Sequence, residues 1–327
     1  MMKKAIALLL TALLSIPFCG CGKKTQTESS APANTTARRT LNIGAGYDES
    51  AVLIADMLKK NEQKKLSGEY LISLFDSSDK IAEKLRDQIL DAALLPAGVA
   101  IATAKAGGGN LRVCAELSGG NLFAVTKTTD ITDIEGFKSK KIGILNTFNE
   151  KAVLSDLFTV AGIAANDVTL DTFKTAADLK KAAKASDYDI LVAAEPYAAM
   201  IAGSNEQYAF RLDLGDFWKS AHGEELPGIL LVVSNDCAAV YPKEIADLKT
   251  DLKTSLKAVS SDKDRVAELI KNYGVSEELS AAKQSVEATH ADYIEKTDLS
   301  KALKSYLGAV GDSFGVSESE LDCLLLN

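Results

Sequence analysis

The sequence predicts an α/β protein built from two similar units, each a mainly parallel sheet flanked by helices. Apolar strands alternate with helices from residue 41 to residue 106, and the alternation restarts at residue 141 and runs to residue 202. Parallel strands need crossover connections, so such alternation favours a parallel sheet covered on both faces. With 327 residues, 46% of them hydrophobic, the chain is long enough for two cores.

The first unit contains three strands, each followed by a helix. Its strands are expected at 41–46, 70–75 and 91–96, with helices beginning near Asp48, Ser77–Asp79 and Ala97. Asp and Ser are preferred N-cap residues, because their side-chain oxygens accept from backbone N–H groups that the helix leaves unpaired. Gly107–Gly109 ends the third helix.

The second unit repeats this order after two connecting apolar runs at 111–117 and 121–126. Its strands are expected at 141–145, 168–173 and 189–193, with helices over about 149–161, from Thr175, and over 196–202. A further apolar strand follows at 229–233. Beyond it the chain is expected to be almost all helical, most clearly over 262–272, 277–289 and 299–310.

The N-terminus resembles a bacterial lipoprotein signal. Lys3 and Lys4 precede an apolar run over 5–18, which is too short to span a bilayer and suits a secretory signal. Gly20 stands directly before Cys21, so we expect residues 1–20 to be removed and Cys21 to be lipidated. Palmitate is one of the expected acyl groups. The alternative is an ordinary secretory signal with incidental cysteines. Residues 21–39 are polar and predict a flexible tether.

Composition and motifs exclude several functions. A net charge of −8 argues against a nucleic-acid partner. Gly44 and Gly46 lack the third glycine of a dinucleotide fingerprint, and His222 and His290 have no zinc-protease spacing. No arrangement of residues calls for catalysis, so we expect no catalytic residue, metal or cofactor. Two cysteines stay open to pairing, Cys237 with Cys323, whereas Cys114 is expected in the core.

Four segments together resemble bacterial ABC-importer substrate-binding lipoproteins of the sulfonate/nitrate/thiamine-precursor type. The most specific is Ala193–Tyr197 with its Glu–Pro pair. The others are 134–143, 158–168 and 232–244, and the resemblance covers roughly 40–272. It implies a two-lobed, type II periplasmic-binding-protein-like fold with a helical C-terminal part. Lobe 1 would comprise 40–123 and 231–327, and lobe 2 would comprise 124–230.

The resemblance also implies a function. Such a protein captures a small organic solute between its lobes and delivers it to an ABC permease and its ATPase. The solute would be a sulfonate, a nitrate-like anion or a vitamin precursor. We expect a monomer that is lipid-anchored to the cell membrane on its extracytoplasmic side and is not an enzyme. The alternatives are an enzyme on the same fold and a solute-sensing lipoprotein that serves a signalling partner.

Candidate ligand-binding residues follow from the rule that ligands bind beyond the carboxyl ends of strands in open α/β sheets. These residues stand at strand ends or at the predicted junction between lobes: Tyr47, Asp48, Ser77, Ser78, Pro96, Ser118, Asn121, Asn146, Thr147, Glu195 and Tyr197. Asp48 and Ser78 are first of all explained as helix caps, with a ligand-binding role as the alternative. An anionic solute would rely on helix N-termini and on Arg112 or Arg211, whereas the tyrosines favour a planar solute. Trp218 is assigned to the core.

Overall fold

A computed structural model of the chain describes residues 39–147 and 149–326, and these residues form two sheets. The first sheet has the strand order β11-β4-β10-β3-β1-β2. Its strands are β1 Leu41–Gly46, β2 Tyr70–Phe75, β3 Ala92–Pro96, β4 Leu111–Gly119, β10 Ile229–Ser234 and β11 His290–Ile294. The second sheet has the order β7-β6-β8-β5-β9. Its strands are β5 Leu122–Thr126, β6 Lys141–Leu145, β7 Thr169–Phe173, β8 Ile190–Ala194 and β9 Phe210–Asp213.

Both sheets are mixed rather than mainly parallel. β1 pairs in parallel with β2 and β3, and β6 pairs in parallel with β7 and β8. β4, β5, β9, β10 and β11 make only antiparallel pairs with other strands. In the first sheet, β10 returns from the second sheet and lies between β3 and β4, antiparallel to both. The predicted α/β class is therefore confirmed, with an antiparallel part in each sheet.

Helices cover the sheets. They are α1 Glu49–Leu53, α2 Ala55–Glu62, α3 Ser78–Arg86, α4 Ala97–Ala106, α5 Glu150–Val160, α6 Ala176–Ala185, α7 Tyr197–Ser204, α8 Leu214–His222, α9 Asn235–Val240, α10 Pro242–Ser261, α11 Lys263–Asn272, α12 Leu279–Ala288 and α13 Lys296–Val310. No helix among the described residues is both long and apolar enough to cross a membrane.

The interior strand β10 shows how the sequence specifies the core. Its apolar run has no polar alternation, since both faces of the sheet are covered. Leu230 and Val232 pack into one hydrophobic cluster, while Leu231 and Val233 pack into another on the opposite face. Successive strand side chains point to opposite faces, so one apolar run supplies two cores.

Two segments that connect the sheets run side by side. Gly120 N donates to Leu226 O at 2.6 Å, and Gly228 N donates to Ser118 O at 2.9 Å. A Cβ on Gly228 would lie 2.7 Å from Ser118 O, so only glycine allows this close approach. The sheets are thus joined by a hydrogen-bonded pair of strands rather than by a loose linker.

Three elements differ from the sequence prediction. β11 interrupts the region that was expected to be almost all helical, and β9 and α8 had not been predicted. β9 and β11 are edge strands with mostly half-exposed residues, so they lack the continuous apolar run that marks the interior strands. The predicted signal, Cys21 and nearly all of the tether lie outside the described residues. The lobe boundaries stay a prediction.

Candidate functional site

The space between the two sheets holds two neighbouring cavities. The outer cavity, of about 470 Å³, contains most of the predicted residues. These are Tyr47, Asp48, Ser77, Ser78, Asn146, Thr147 and Tyr197. The inner cavity, of about 60 Å³, contains Pro96, Asn121 and Glu195. The cavities are adjacent, because Thr147 of the outer cavity donates to Glu150 Oε1 of the inner cavity at 3.0 Å.

Side chains in the outer cavity are bonded mainly to their own helices. Asp48 is the N-cap of α1, and its Oδ1 accepts from Ser50 N at 2.8 Å. Asn146 Oδ1 accepts from Lys151 N at 2.9 Å. Ser77 is the N-cap of α3, but its side chain makes no capping hydrogen bond, and Ser78 is the first helical residue. Asp48 therefore acts as a helix cap, as the sequence analysis had allowed. Ser78 does not, because the N-cap position of α3 belongs to Ser77.

One hydrogen bond crosses between the sheets beside the outer cavity. Tyr197, at the start of α7, donates from its hydroxyl to Tyr47 O at the end of β1 over 3.1 Å. Burial is the main cause that raises the pKa of Tyr197, and Asp48 and Glu150 add to it. The phenol therefore stays protonated and acts as a donor. The two faces of the cleft are in direct contact at this point.

The inner cavity is dominated by buried carboxyl groups. Glu49, Glu150 and Glu195 all line it, and their exposed fractions are 4%, 5% and 0%. Glu195 forms an ion pair with Arg211, and its Oε2 accepts from Ala199 N at 3.2 Å. Burial raises the pKa of Glu195, and the Arg211 guanidinium opposes that rise. Thr147 donates to Glu150 Oε1 at 3.0 Å.

Glu49, unlike Glu195, has no ionic partner among the described residues. Its Oε1 makes no hydrogen bond to the described residues. Burial raises the pKa of Glu49 to about 8, although the nearby Asn121 and Ser118 side chains lower it. Removing a carboxylate from water disfavours its charged form. At neutral pH the empty cavity thus holds Glu49 mostly protonated.

Ser118, the remaining predicted residue, lines neither cavity. It is buried behind Glu49, and its Oγ accepts from Ile229 N at 3.1 Å. Neither arginine named for an anionic solute lines either cavity: Arg211 pairs with Glu195, and Arg112 bonds to Leu111 O. Trp218 is fully buried, which confirms its assignment to the core, and Cys114 is buried too. Cys237 and Cys323 are free thiols and do not pair.

Solved structures of similar shape place this geometry in a known architecture. The periplasmic aliphatic sulphonate binding protein SsuA from Escherichia coli superposes with a TM-score of 0.70 at 12% identity, covering 88% of this chain and 92% of that one. An ABC transporter structure from Parabacteroides distasonis gives 0.69 at 17% identity, covering 84% and 92%. The chain has a periplasmic-binding-protein fold.

A third neighbour is the ligand-binding component of an ABC-type import system from Staphylococcus aureus. It superposes with a TM-score of 0.67 at 13% identity, covering 88% of this chain and 97% of that one. No protein-family model and no curated protein sequence matches the chain. The two-lobed periplasmic-binding-protein fold expected from the sequence is confirmed, and at these identities the likeness concerns the fold.

Within this periplasmic-binding-protein fold, three ionisable residues that line the inner cavity escaped the sequence analysis: Glu49, Glu150 and Tyr306. An acidic residue in the first turn is typical of any helix, so Glu49 and Glu150 gave no distinct pattern. Glu49 stands directly after Asp48, and extending the strand-end rule by one residue would have included it. Tyr306 comes from α13, far along the chain, and no local pattern connects it to the cavity.

Proposed function

We propose that the chain is an extracytoplasmic solute-binding lipoprotein of an ABC importer. It captures a small organic solute in the cleft between its two lobes and delivers it to a permease and ATPase. The observation that carries this proposal is the pair of cavities at the carboxyl ends of the strands, between two sheets joined by paired segments. The structural neighbours named as importer components support it.

The finer points of the proposal rest on the sequence. Solutes of the sulfonate, nitrate-like and vitamin-precursor classes follow from the family resemblance. The lipid anchor on Cys21, the flexible tether and the extracytoplasmic location follow from the N-terminus. The protein works as a monomer that binds rather than converts its solute, and the lobes correspond to 40–123 with 231–327 and to 124–230.

Thermal unfolding of the full chain in detergent, against a panel of sulfonates, nitrate, amines and vitamin precursors, tests solute capture. A ligand at 100 times its Kd should add about 2.7 kcal/mol to the free energy of unfolding. If every solute leaves the unfolding midpoint unchanged, the proposal is wrong.

Gly98 allows the site itself to be tested. Gly98 and Asn149 both line the inner cavity. A Cβ on Gly98 would lie 2.2 Å from Asn149 Nδ2, so Gly98→Ala should displace the Asn149 side chain and change the shape of the inner cavity. This variant should lose the ligand-induced shift. Gly203→Ala is the matched control, since Gly203 is in α7 and its nearest contact is 4.0 Å away. Equal shifts in both variants would place the solute elsewhere.

Metabolic labelling with a radioactive fatty acid tests the anchor. The unmodified chain should incorporate label, whereas a Cys21→Ser variant should not, because it lacks the cysteine to which the acyl chains are attached. Two acyl chains on Cys21 would give stable membrane binding. Label retained by Cys21→Ser would contradict the assignment.

A further inference from the structure

The charges that line the inner cavity are all of one sign. Glu49, Glu150 and Glu195 contribute carboxyl groups, and no Lys, Arg or His is among the described residues that line the cavity. Arg211 balances Glu195 from outside it. An anion that entered would meet further negative charge with no fixed positive charge to offset it.

Glu49 is the carboxyl group with an oxygen that no described residue bonds and with no ionic partner among the described residues. Only 4% of Glu49 is exposed, and the residue lines the inner cavity. Its Oε1 makes no hydrogen bond to the described residues. Unpaired buried carboxyls are unfavourable, and native structures give them a partner. A solute group that donates hydrogen bonds and carries positive charge would supply it.

We propose that the inner cavity binds the ammonium end of a small organic cation, with the Glu49 carboxylate as its ionic partner. The inference rests on the proposed solute-binding function and narrows its solute class. It favours an amine-bearing solute over a sulfonate or a nitrate-like anion.

The sizes of the cavities determine how much of the solute each holds. The inner cavity, at about 60 Å³, admits a few small groups, since about 10–15 Å³ of accessible space holds one water molecule. It therefore takes the charged end of the solute, and the remainder extends into the outer cavity of about 470 Å³. Asn121 lines the inner cavity as well, and its side chain is close enough to Glu49 to lower the pKa of that carboxyl.

The proposal makes binding depend on pH. The titratable groups facing Glu49 are all acids: Asp48 before its own helix, Glu195 after β8 and Glu116 on β4. Burial is the main cause that raises the pKa of Glu49 to about 8, and Asp48 and Glu195 add to the rise. A bound cation requires the ionised form, so binding below this pKa releases one proton. Below pH 7, affinity for the cation should therefore increase about tenfold for each unit by which the pH is raised.

The test is calorimetric titration of the full chain in detergent at pH 7.5 with matched probes. Ethylammonium and 2-aminoethanol are the cations, and ethanesulfonate and 2-hydroxyethanesulfonate are the anions of the same skeletons. The amines should bind and the sulfonates should not. A second titration in the presence of equimolar potassium chloride tests whether the site prefers an alkali metal ion. If it does, potassium should displace the amine; if the site is specific for an organic ammonium group, the amine should stay bound.

Glu49→Gln keeps the volume of the side chain and removes its charge, so it should weaken amine binding at least tenfold. Glu49→Asp should recover part of the affinity. Glu83→Gln, on the exposed face of α3, is the matched control and should bind as the unmodified chain does. If Glu49→Gln misfolds, the pH dependence of amine binding to the unmodified chain still tests the proposal. Affinity that does not increase as the pH is raised would contradict it.

Each outcome separates the inference from the function on which it rests. Sulfonate binding that strengthens as pH falls would overturn the cation assignment and leave solute binding intact, because protonated Glu49 would then donate to an acceptor. Amine binding that Glu49→Gln does not weaken, or that potassium displaces, would also overturn it. If no probe or other solute of the wider panel binds, the proposed function fails, and the inference fails with it.

Discussion

The outer and inner cavities lie next to each other but are built differently. In the outer cavity, Asp48 and Asn146 bond to backbone within five residues of themselves. In the inner cavity, Asn121 Oδ1 accepts from Glu195 N across 74 positions of sequence, and Glu195 pairs with Arg211 on β9. One cavity is lined by helix caps, and the other by buried groups that only the folded chain brings together.

This difference determines where mutations act. Helix caps contribute modestly, because each satisfies only one or two backbone groups of its own helix. A buried carboxyl is sensitive to its surroundings, since the free energy of its charged form depends on every neighbour and on the exclusion of water. Changes in the inner cavity should therefore exceed those in the outer one.

The largest effect is expected in the pH dependence of stability. Glu49 has a folded pKa of about 8, against about 4.3 in the unfolded chain. The folded state thus binds more protons between these values, and stability falls as pH rises through the window. Glu49→Gln should reduce the slope of the unfolding free energy, measured in urea from pH 5 to pH 8, by up to about 1.4 kcal/mol per pH unit.

Asp76 in the outer cavity provides the matched comparison. It is exposed, and Lys80 lowers its pKa through a hydrogen bond. It is therefore ionised in both states across this window, and Asp76→Asn should leave the slope unchanged. Equal slopes for Glu49→Gln and Asp76→Asn would show that the cavities do not differ in this way.

A second, smaller effect is expected from breaking the ion pair at Glu195. Arg211→Ala leaves a fully buried carboxyl without its counter-charge. The free energy of unfolding should fall by about 3 kcal/mol at pH 8. Burial then holds the folded pKa of Glu195 still further above its unfolded value, so the loss should shrink toward pH 5, where Glu195 is protonated.

Arg86→Ala, which alters an exposed residue at the end of α3, controls for the loss of an arginine. It should change the urea midpoint little at either pH. A loss for Arg211→Ala that is no greater than for Arg86→Ala, or that grows toward pH 5, would contradict the assignment of Glu195 as a buried, paired carboxyl.

The same contrast explains what the sequence could predict. β1, β3, β6, β8 and β10 are buried strands, and their apolar runs identified them. The edge strands β9 and β11 carry half-exposed residues and were missed. The edge strands β2 and β7 are also half-exposed, but their places in the strand–helix alternation identified them. In the site, strand-end positions identified the helix caps around the outer cavity, because a cap is a local pattern.

Glu49 and Tyr306 could not be assigned in that way. An acid in the first turn of a helix has a sufficient local explanation. Only the tertiary fold shows that Glu49 lines a cavity and that its Oε1 makes no hydrogen bond to the described residues. Tyr306 reaches the cavity from α13, which packs against α5 of the other sheet. The position of Tyr306 in the cavity depends on the packing of α13 against α5, and residue spacing within one segment does not predict such packing.

The smallest expected effect concerns a cap in the outer cavity. Asp48→Ala removes the side chain that accepts from Ser50 N at the start of α1, and should lower the free energy of unfolding by about 1 kcal/mol. Ser77→Ala alters the N-cap of α3, where no side-chain bond exists, so it should have less effect. Urea unfolding at pH 7 measures both. If Ser77→Ala costs as much as Asp48→Ala, the hydrogen bond to Ser50 does not stabilise α1, and the outer cavity is not held together by local capping.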